Sequence, residues 1–391
     1  MAQIYFDHSA TTPLDPRVVE TMLPFYQANF GNPSSLHWAG QQAKEAIETG
    51  RRQVADLFHA SPEEIIFTAS GTEADNLVLI GVASQYQPQD CQIITSSFEH
   101  PAILETCKYL AKLGYEISYL PVTPEGIVEP ESLKAALTPK TRLVSVMAAN
   151  NVVGTLQPLS ELAQITKAQG ALFHTDAVQA VGKIPLHADA LPFDFLSLSA
   201  HKLHGPKGIG ALYLRQGVKI EPLVHGGGQE RGIRSATENV AAIAGLGKAA
   251  EIAGVEMSAE ARKLVGLRDQ LINGIQAEIP NAYLIGHRYK RLPGHICLGF
   301  AGQEGEAIHL MLALNEAGIA ISTGSACSSH HAGQPSYILT AMGFDPIRAR
   351  GSLRITLGRF NTAAEVETFL EVLPRLVAEM RPVTSRSFAT V

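Results

Sequence analysis

Two strand-like segments end in residues able to do covalent chemistry. Residues 193–202 read as a buried strand running into a polar turn, with Lys202 last. An ammonium is costly to desolvate, so an apolar strand that delivers a lysine ahead of Gly205-Pro206-Lys207-Gly208 suggests an amine held for Schiff-base chemistry. Alone, the segment fits an ordinary surface loop equally well.

Upstream, residues 170–179 form a second apolar stretch with Asp176 near its end. Neighbouring parallel strands release their chains at one edge of a sheet, so Asp176 and Lys202 can face one cofactor. Asp176 would keep a pyridinium nitrogen protonated, making pyridoxal phosphate an electron sink, while Lys202 holds its aldehyde. An Asp here is also a turn former, and only the pairing with Lys202 lifts it above that. Between a strand at 64–67 and a helix at 74–83, Ser70-Gly71-Thr72 offers N–H groups and the Thr72 hydroxyl to an anion at a helix N-terminus. The same pattern is also a plain helix-start signal.

Further motifs run from Tyr5-Phe6-Asp7-His8-Ser9 to Ser352-Leu353-Arg354-Ile355-Thr356, through Gly31-Asn32-Pro33-Ser34-Ser35, Ser199-Ala200-His201-Lys202, His225-Gly226-Gly227-Gly228-Gln229-Glu230-Arg231-Gly232 and Ser322-Thr323-Gly324-Ser325-Ala326-Cys327-Ser328. With them nearly the whole chain resembles fold-type I pyridoxal-phosphate enzymes of the class V aminotransferase group, and within it cysteine desulfurases of the NifS and IscS kind. The resemblance implies conversion of L-cysteine to L-alanine with sulfur left as a persulfide on an enzyme cysteine, for iron-sulfur cluster assembly or other sulfur delivery. It also implies a homodimer and a sulfur-acceptor protein such as an iron-sulfur scaffold.

Residue by residue, His100 matches the imidazole that stacks on the cofactor ring and moves protons; a lone loop histidine is otherwise usually structural or solvated. Gln179 matches the partner of the ring's phenolic oxygen. Ser199 and His201 look like phosphate ligands beside Gly71 and Thr72, and Asn151, rather than Asn150, corresponds to the residue near substrate and ring. Thr237 matches a threonine that reaches the neighbouring subunit's phosphate, although its position also suits a cap for the helix after it. Arg354 would clamp the substrate carboxylate with Asn32 assisting.

Cys327 decides which reaction the cofactor serves. It sits among Gly324, Ser325, Ser328 and Ser329, a polar loop in which a thiol can be exposed and mobile, with Gly324 and Gly333 as pivots. As thiolate it would attack the substrate sulfur and then swing outward to an acceptor. His330 and His331 nearby invite a metal reading, but no fourth ligand is spaced for one, so no metal is expected and Cys327 would ligate an iron-sulfur cluster at most transiently. A selenocysteine lyase, a cysteine carbon-sulfur lyase or a non-catalytic sulfur carrier of the same fold are the alternatives.

These residues need a scaffold of strand ends. Apolar strands at 92–95, 116–120 and 143–147 alternate with helical patterns through about residue 215, which predicts an α/β protein with a mainly parallel sheet covered on both faces. The resemblance sharpens this to a seven-stranded-type sheet in a large cofactor domain, 15–255, and a smaller α/β domain, 1–14 with 256–381, followed by a tail at 382–391. A long helix from Val240 to about Ile279 would bridge the two.

A net charge of -6 without a long basic run gives no support to nucleic-acid binding, and no apolar stretch is long enough for a bilayer. The first residues lack a leader pattern, and Cys91, Cys107, Cys297 and Cys327 show no close pairing, which together suggest the cytoplasm. The chain ends without the scaffold-engaging tail of IscS-type proteins, so a NifS-like or general sulfur-supply role fits at least as well.

Overall fold

The computed structural model describes residues 3–324 and 335–380. The chain opens with β1 (Ile4–Tyr5), α1 (Pro16–Gln27) and α2 (Trp38–Leu57). Strands and helices then alternate as β2 (Ile65–Thr68), α3 (Gly71–Ala83), β3 (Gln92–Ser96), α4 (Pro101–Lys112), β4 (Glu116–Leu120), α5 (Pro130–Ala136), β5 (Thr141–Ser145), α6 (Leu159–Ala168) and β6 (Leu172–Asp176). Then follow β7 (Phe195–Ser199), β8 (Gly210–Leu214) and the long α7 (Val240–Glu278). The remainder comprises β9 (Ala282–Leu284), β10 (His295–Phe300), α8 (Ala307–Glu316), β11 (Ile319–Ala320), β12 (Ser322–Thr323), α9 (Tyr337–Ala341), β13 (Ser352–Thr356) and α10 (Ala363–Glu379).

Seven strands pair in the order β2-β8-β7-β6-β5-β3-β4, parallel from β4 to β7 and antiparallel at β8 and β2. Every residue of β7 is buried, as expected of a strand covered on both faces. On one face Val54 of α2, Phe58 just after it, and Leu246 and Ile252 of α7 pack against Phe67, Val144 and Leu196. On the other, Leu77, Val78, Ile103 and Leu110, from α3 and α4, cover Ile93, Phe195 and Leu212. The α/β expectation with a mainly parallel sheet is met.

A second sheet, β12-β13-β10-β9, forms another core in which Leu298, Leu353 and Ile355 meet Leu271 and Ile275 of α7 and Phe369 and Leu373 of α10. Helix α7 therefore joins both cores. The N-terminal segment crosses between them: β1 pairs with β11, Asp7 bridges to Thr356, and the N–H of Thr12 donates to the His201 carbonyl at 3.0 Å. Among the described residues no helix is long and apolar enough to cross a membrane.

Candidate active site

Strand ends and helix starts converge on a cavity of about 480 Å³. Asp176 is the last residue of β6 and Lys202 ends the short turn after β7, and the two strands run parallel in register, Asp176 opposite Ser197. The cavity is lined by both, and by Gly71, Thr72, His100, Asn151, Gln179, Ser199, His201 and Arg354.

At one end, α3 presents its N-terminus. Ser70 caps it by accepting from the Glu73 N–H at 3.1 Å, so the helix starts three residues earlier than its apolar pattern suggests. A Cβ on Gly71 would lie 2.5 Å from Val178 Cγ2, so a glycine lets this N-terminus approach the end of β6 closely. Ser199 and His201 line the same cavity, and burial lowers the His201 pKa to about 4, leaving a neutral ring. Hydroxyl and N–H donors at a helix start suit a phosphate.

Further in, Asp176 is buried and accepts from the Val178 N–H at 2.9 Å. Burial raises its pKa, while His100 and Lys202 pull it back. A buried carboxylate in this position gains from an added cation, which a protonated ring nitrogen would supply. His100 caps α4, its Nδ1 accepting from the Ala102 N–H at 3.1 Å, which assigns the ring proton to Nε2; burial lowers its pKa. The Lys202 ammonium donates to the carbonyls of Ser9 and Ala10. Gln179 donates to the same Ser9 carbonyl at 2.9 Å.

At the other end, Arg354 is only 2% exposed. Its Nη1 donates to the Asn151 carbonyl at 3.2 Å and its Nη2 to Asp7 at 2.9 Å, while Nε is buried with no partner among the described residues. An orphan guanidinium N–H beside a cavity is suited to a carboxylate.

Asn150 does not serve the cavity: it donates to the Phe98 carbonyl and accepts from the Val152 and Val153 N–H groups, bracing the turn that carries Asn151. Two expected residues are not brought to the cavity within one chain. Asn32 is exposed in the α1–α2 loop, where its side chain accepts from the Ser34 N–H at 2.9 Å. Thr237 is exposed and lines a separate hollow with Thr68 and Ala69, and the helix cap that its position also suits is made instead by Asn239, which accepts from the Ala242 N–H. Cys327, with His330 and His331, lies outside the described residues.

Sequence reasoning missed Asp7, Ser9, Asp75 and Ser322, which also line the cavity. Asp75, on α3, is fully buried, and burial pushes its pKa well up, reinforced by the charge of Asp176. Behind it His174 sits between the Ser145 and Ser197 hydroxyls at 2.8 and 3.0 Å, with its pKa lowered by burial to about 3. Glu99, next to His100, accepts from the Met147 N–H, and burial raises its pKa to about 8. The acidic positions at 7 and 75 are each one polar residue among several in their stretches, so only the folded chain singles them out as cavity residues.

Two sheets joined by a long helix, with an amine and a carboxylate on adjacent strand ends, define the architecture of a fold-type I pyridoxal-phosphate enzyme, and residues 4–369 match the family model for aminotransferase class-V, so the chain belongs to that family. It is 48% identical over 382 residues to a protein named cysteine desulfurase IscS from Dictyoglomus turgidum, covering 98% of this chain and 96% of that one. It is 47% identical to a cysteine desulfurase IscS from Methanosarcina thermophila, covering 99% and 96%. Among solved structures a NifS-like protein superposes with a TM-score of 0.90 at 41% identity, covering 97% of this chain and all of that one. A structure described as SspA in complex with cysteine superposes with a TM-score of 0.82 at 33% identity, covering 92% and 100%.

Proposed function

We propose that this chain is a cytoplasmic, pyridoxal-phosphate-dependent cysteine desulfurase that converts L-cysteine to L-alanine and passes the sulfur to Cys327. The observation that carries the reading is the convergence of Lys202, Asp176 and Arg354 on one cavity, since few other chemistries need an amine, a ring-nitrogen partner and a carboxylate clamp together. Residues 15–255 then hold the cofactor, and residues 1–14 with 256–381 close over it.

Bound in the cavity, pyridoxal phosphate supplies a carbonyl for amines and a sink for electrons released at the substrate α-carbon. Asp176 would hold the ring nitrogen's positive charge, while Gly71, Thr72, Ser199 and His201 would take the phosphate. Thr237 completes that phosphate site in a second copy of the chain, so the working unit is a homodimer. Arg354 binds the cysteine carboxylate and thereby points the α-hydrogen at Lys202. Lys202 Nζ, having given up its carbonyl contacts and its own extra proton, takes the α-proton as a neutral amine, and His100 Nε2 handles protons at the sulfur. The Cys327 thiolate forms the S–S bond as the C–S bond breaks, the electron pair stays with carbon, and protonation yields alanine. A protein acceptor, such as an iron-sulfur scaffold, then takes the persulfide sulfur.

The test is paired product analysis. Wild type incubated with L-cysteine should release alanine and carry one extra sulfur atom on the peptide containing Cys327. Cys327→Ala should stop alanine release from cysteine; turnover that survives would make the chain a carbon-sulfur lyase instead.

A further inference from the structure

We propose that His59, His187 and Asp189 form a binding site for a divalent late first-row cation, with Zn²⁺ as the type, at the C-terminal end of α2. Two imidazoles and one carboxylate offer ligand atoms that all lie within 4.8 Å of one another, a donor set such ions favour, with water completing the shell. None of the three lines the Lys202 cavity.

The backbone holds the donors in place. Helix α2 ends in a paired-bond turn: the Ala60 N–H donates to the Ala55 carbonyl at 3.0 Å and the His59 N–H to the Asp56 carbonyl at 3.2 Å. His59 thus occupies the left-handed position that glycine usually fills, with φ at 53°. A non-glycine residue there carries some backbone strain. The strap between β6 and β7 that carries His187 and Asp189 is docked against it, the Ala188 N–H donating to the Phe58 carbonyl at 2.8 Å. Phe58, Leu186 and Ala188, the chain neighbours of the donors, are buried, so the donors stand on anchored backbone.

The imidazoles stack with centroids 3.8 Å apart and planes 21° from parallel, and His59 Nδ1 is 3.5 Å from Asp189 Oδ2. Stacked rings aim their lone pairs nearly parallel, so coordination requires them to turn until the lone pairs converge. The His59 side chain is about half exposed and has room to turn. The negative end of the α2 dipole lies at the same spot and favours a cation. Bound there, the ion clamps the end of α2 to the strap between β6 and β7.

Chelator-stripped holoenzyme, dialysed against micromolar zinc, tests the site. Wild type should retain one more zinc per chain than His59→Gly or Asp189→Asn, and added zinc should raise its Tm by about 2 °C while leaving those variants unmoved. His59→Gly relieves the left-handed backbone, so its zinc-free Tm and its desulfurase activity should match or exceed wild type. Zinc taken by Cys327, His330 or His331 is common to all three proteins and cancels. Equal zinc in wild type and His59→Gly, or none in either, overturns the proposal.

Discussion

Arg354 and Asp7 stand 347 positions apart in sequence and meet at 2.9 Å, Nη2 to Oδ1, on the wall of the cavity. This ion pair ties the N-terminal segment to β13, and with the Asn151 carbonyl it fixes the plane of the guanidinium while Nε stays unpaired among the described residues. A fork so oriented reads a carboxylate by direction as well as by charge.

Arg354→Lys therefore keeps the charge and loses the fork. The KM for cysteine should rise about 10–100-fold, with a smaller fall in kcat, since lysine cannot reach Asp7, Asn151 and substrate together. Steady-state kinetics separate the two, and an unchanged KM would remove Arg354 from substrate binding.

Asp176→Asn is nearly isosteric and abolishes the anion proposed to hold a ring cation. We expect kcat to drop about 100-fold or more with cofactor still bound, read from alanine production and the visible absorbance of the holoenzyme. Retained activity would separate Asp176 from the ring nitrogen.

Glu99 gives a pH signature in stability. Its folded-state pKa, about 8, lies above the ordinary carboxyl value of 4.5, so between these the folded chain binds more protons than the unfolded chain. Stability from this group is then greatest below pH 4.5 and falls as pH rises toward 8. Glu99→Gln keeps an acceptor for the Met147 N–H and cannot ionise, so Tm measured from pH 5 to 8 should decline less steeply than in wild type.

Thr237 is exposed in the single chain, near the strand that leads to α3. Thr237→Val should leave the fold intact and weaken cofactor retention several-fold on dialysis, and sedimentation should report a dimer. A monomer that holds its cofactor fully would remove the cross-subunit role.

The core of the site was legible because its residues end strands. An apolar run that stops at Asp176 or enters a turn at Lys202 announces itself in one dimension, and β6 and β7 prove to be adjacent and parallel. The start of α3 was legible for a similar reason, as Ser70-Gly71-Thr72 follows a strand directly. Asp7 and Asp75 were not, because their surroundings are made by contacts between distant segments: Asp7 meets β13, and Asp75 meets β6 from the facing helix. Asn32 shows the converse, a residue inside a sharp motif that stands outside its own chain's cavity.

Lys183 supplies a direct rival to Lys202. It lies close behind the cavity, its Nζ 3.4 Å from Gln179 Oε1, and burial lowers its pKa to about 7, so a large share of it is free amine at neutral pH. Borohydride reduction of the holoenzyme followed by peptide mapping decides between them. The reduced pyridoxyl group should be found on Lys202; finding it on Lys183, or on neither lysine, would contradict the assignment of Lys202 as the cofactor amine.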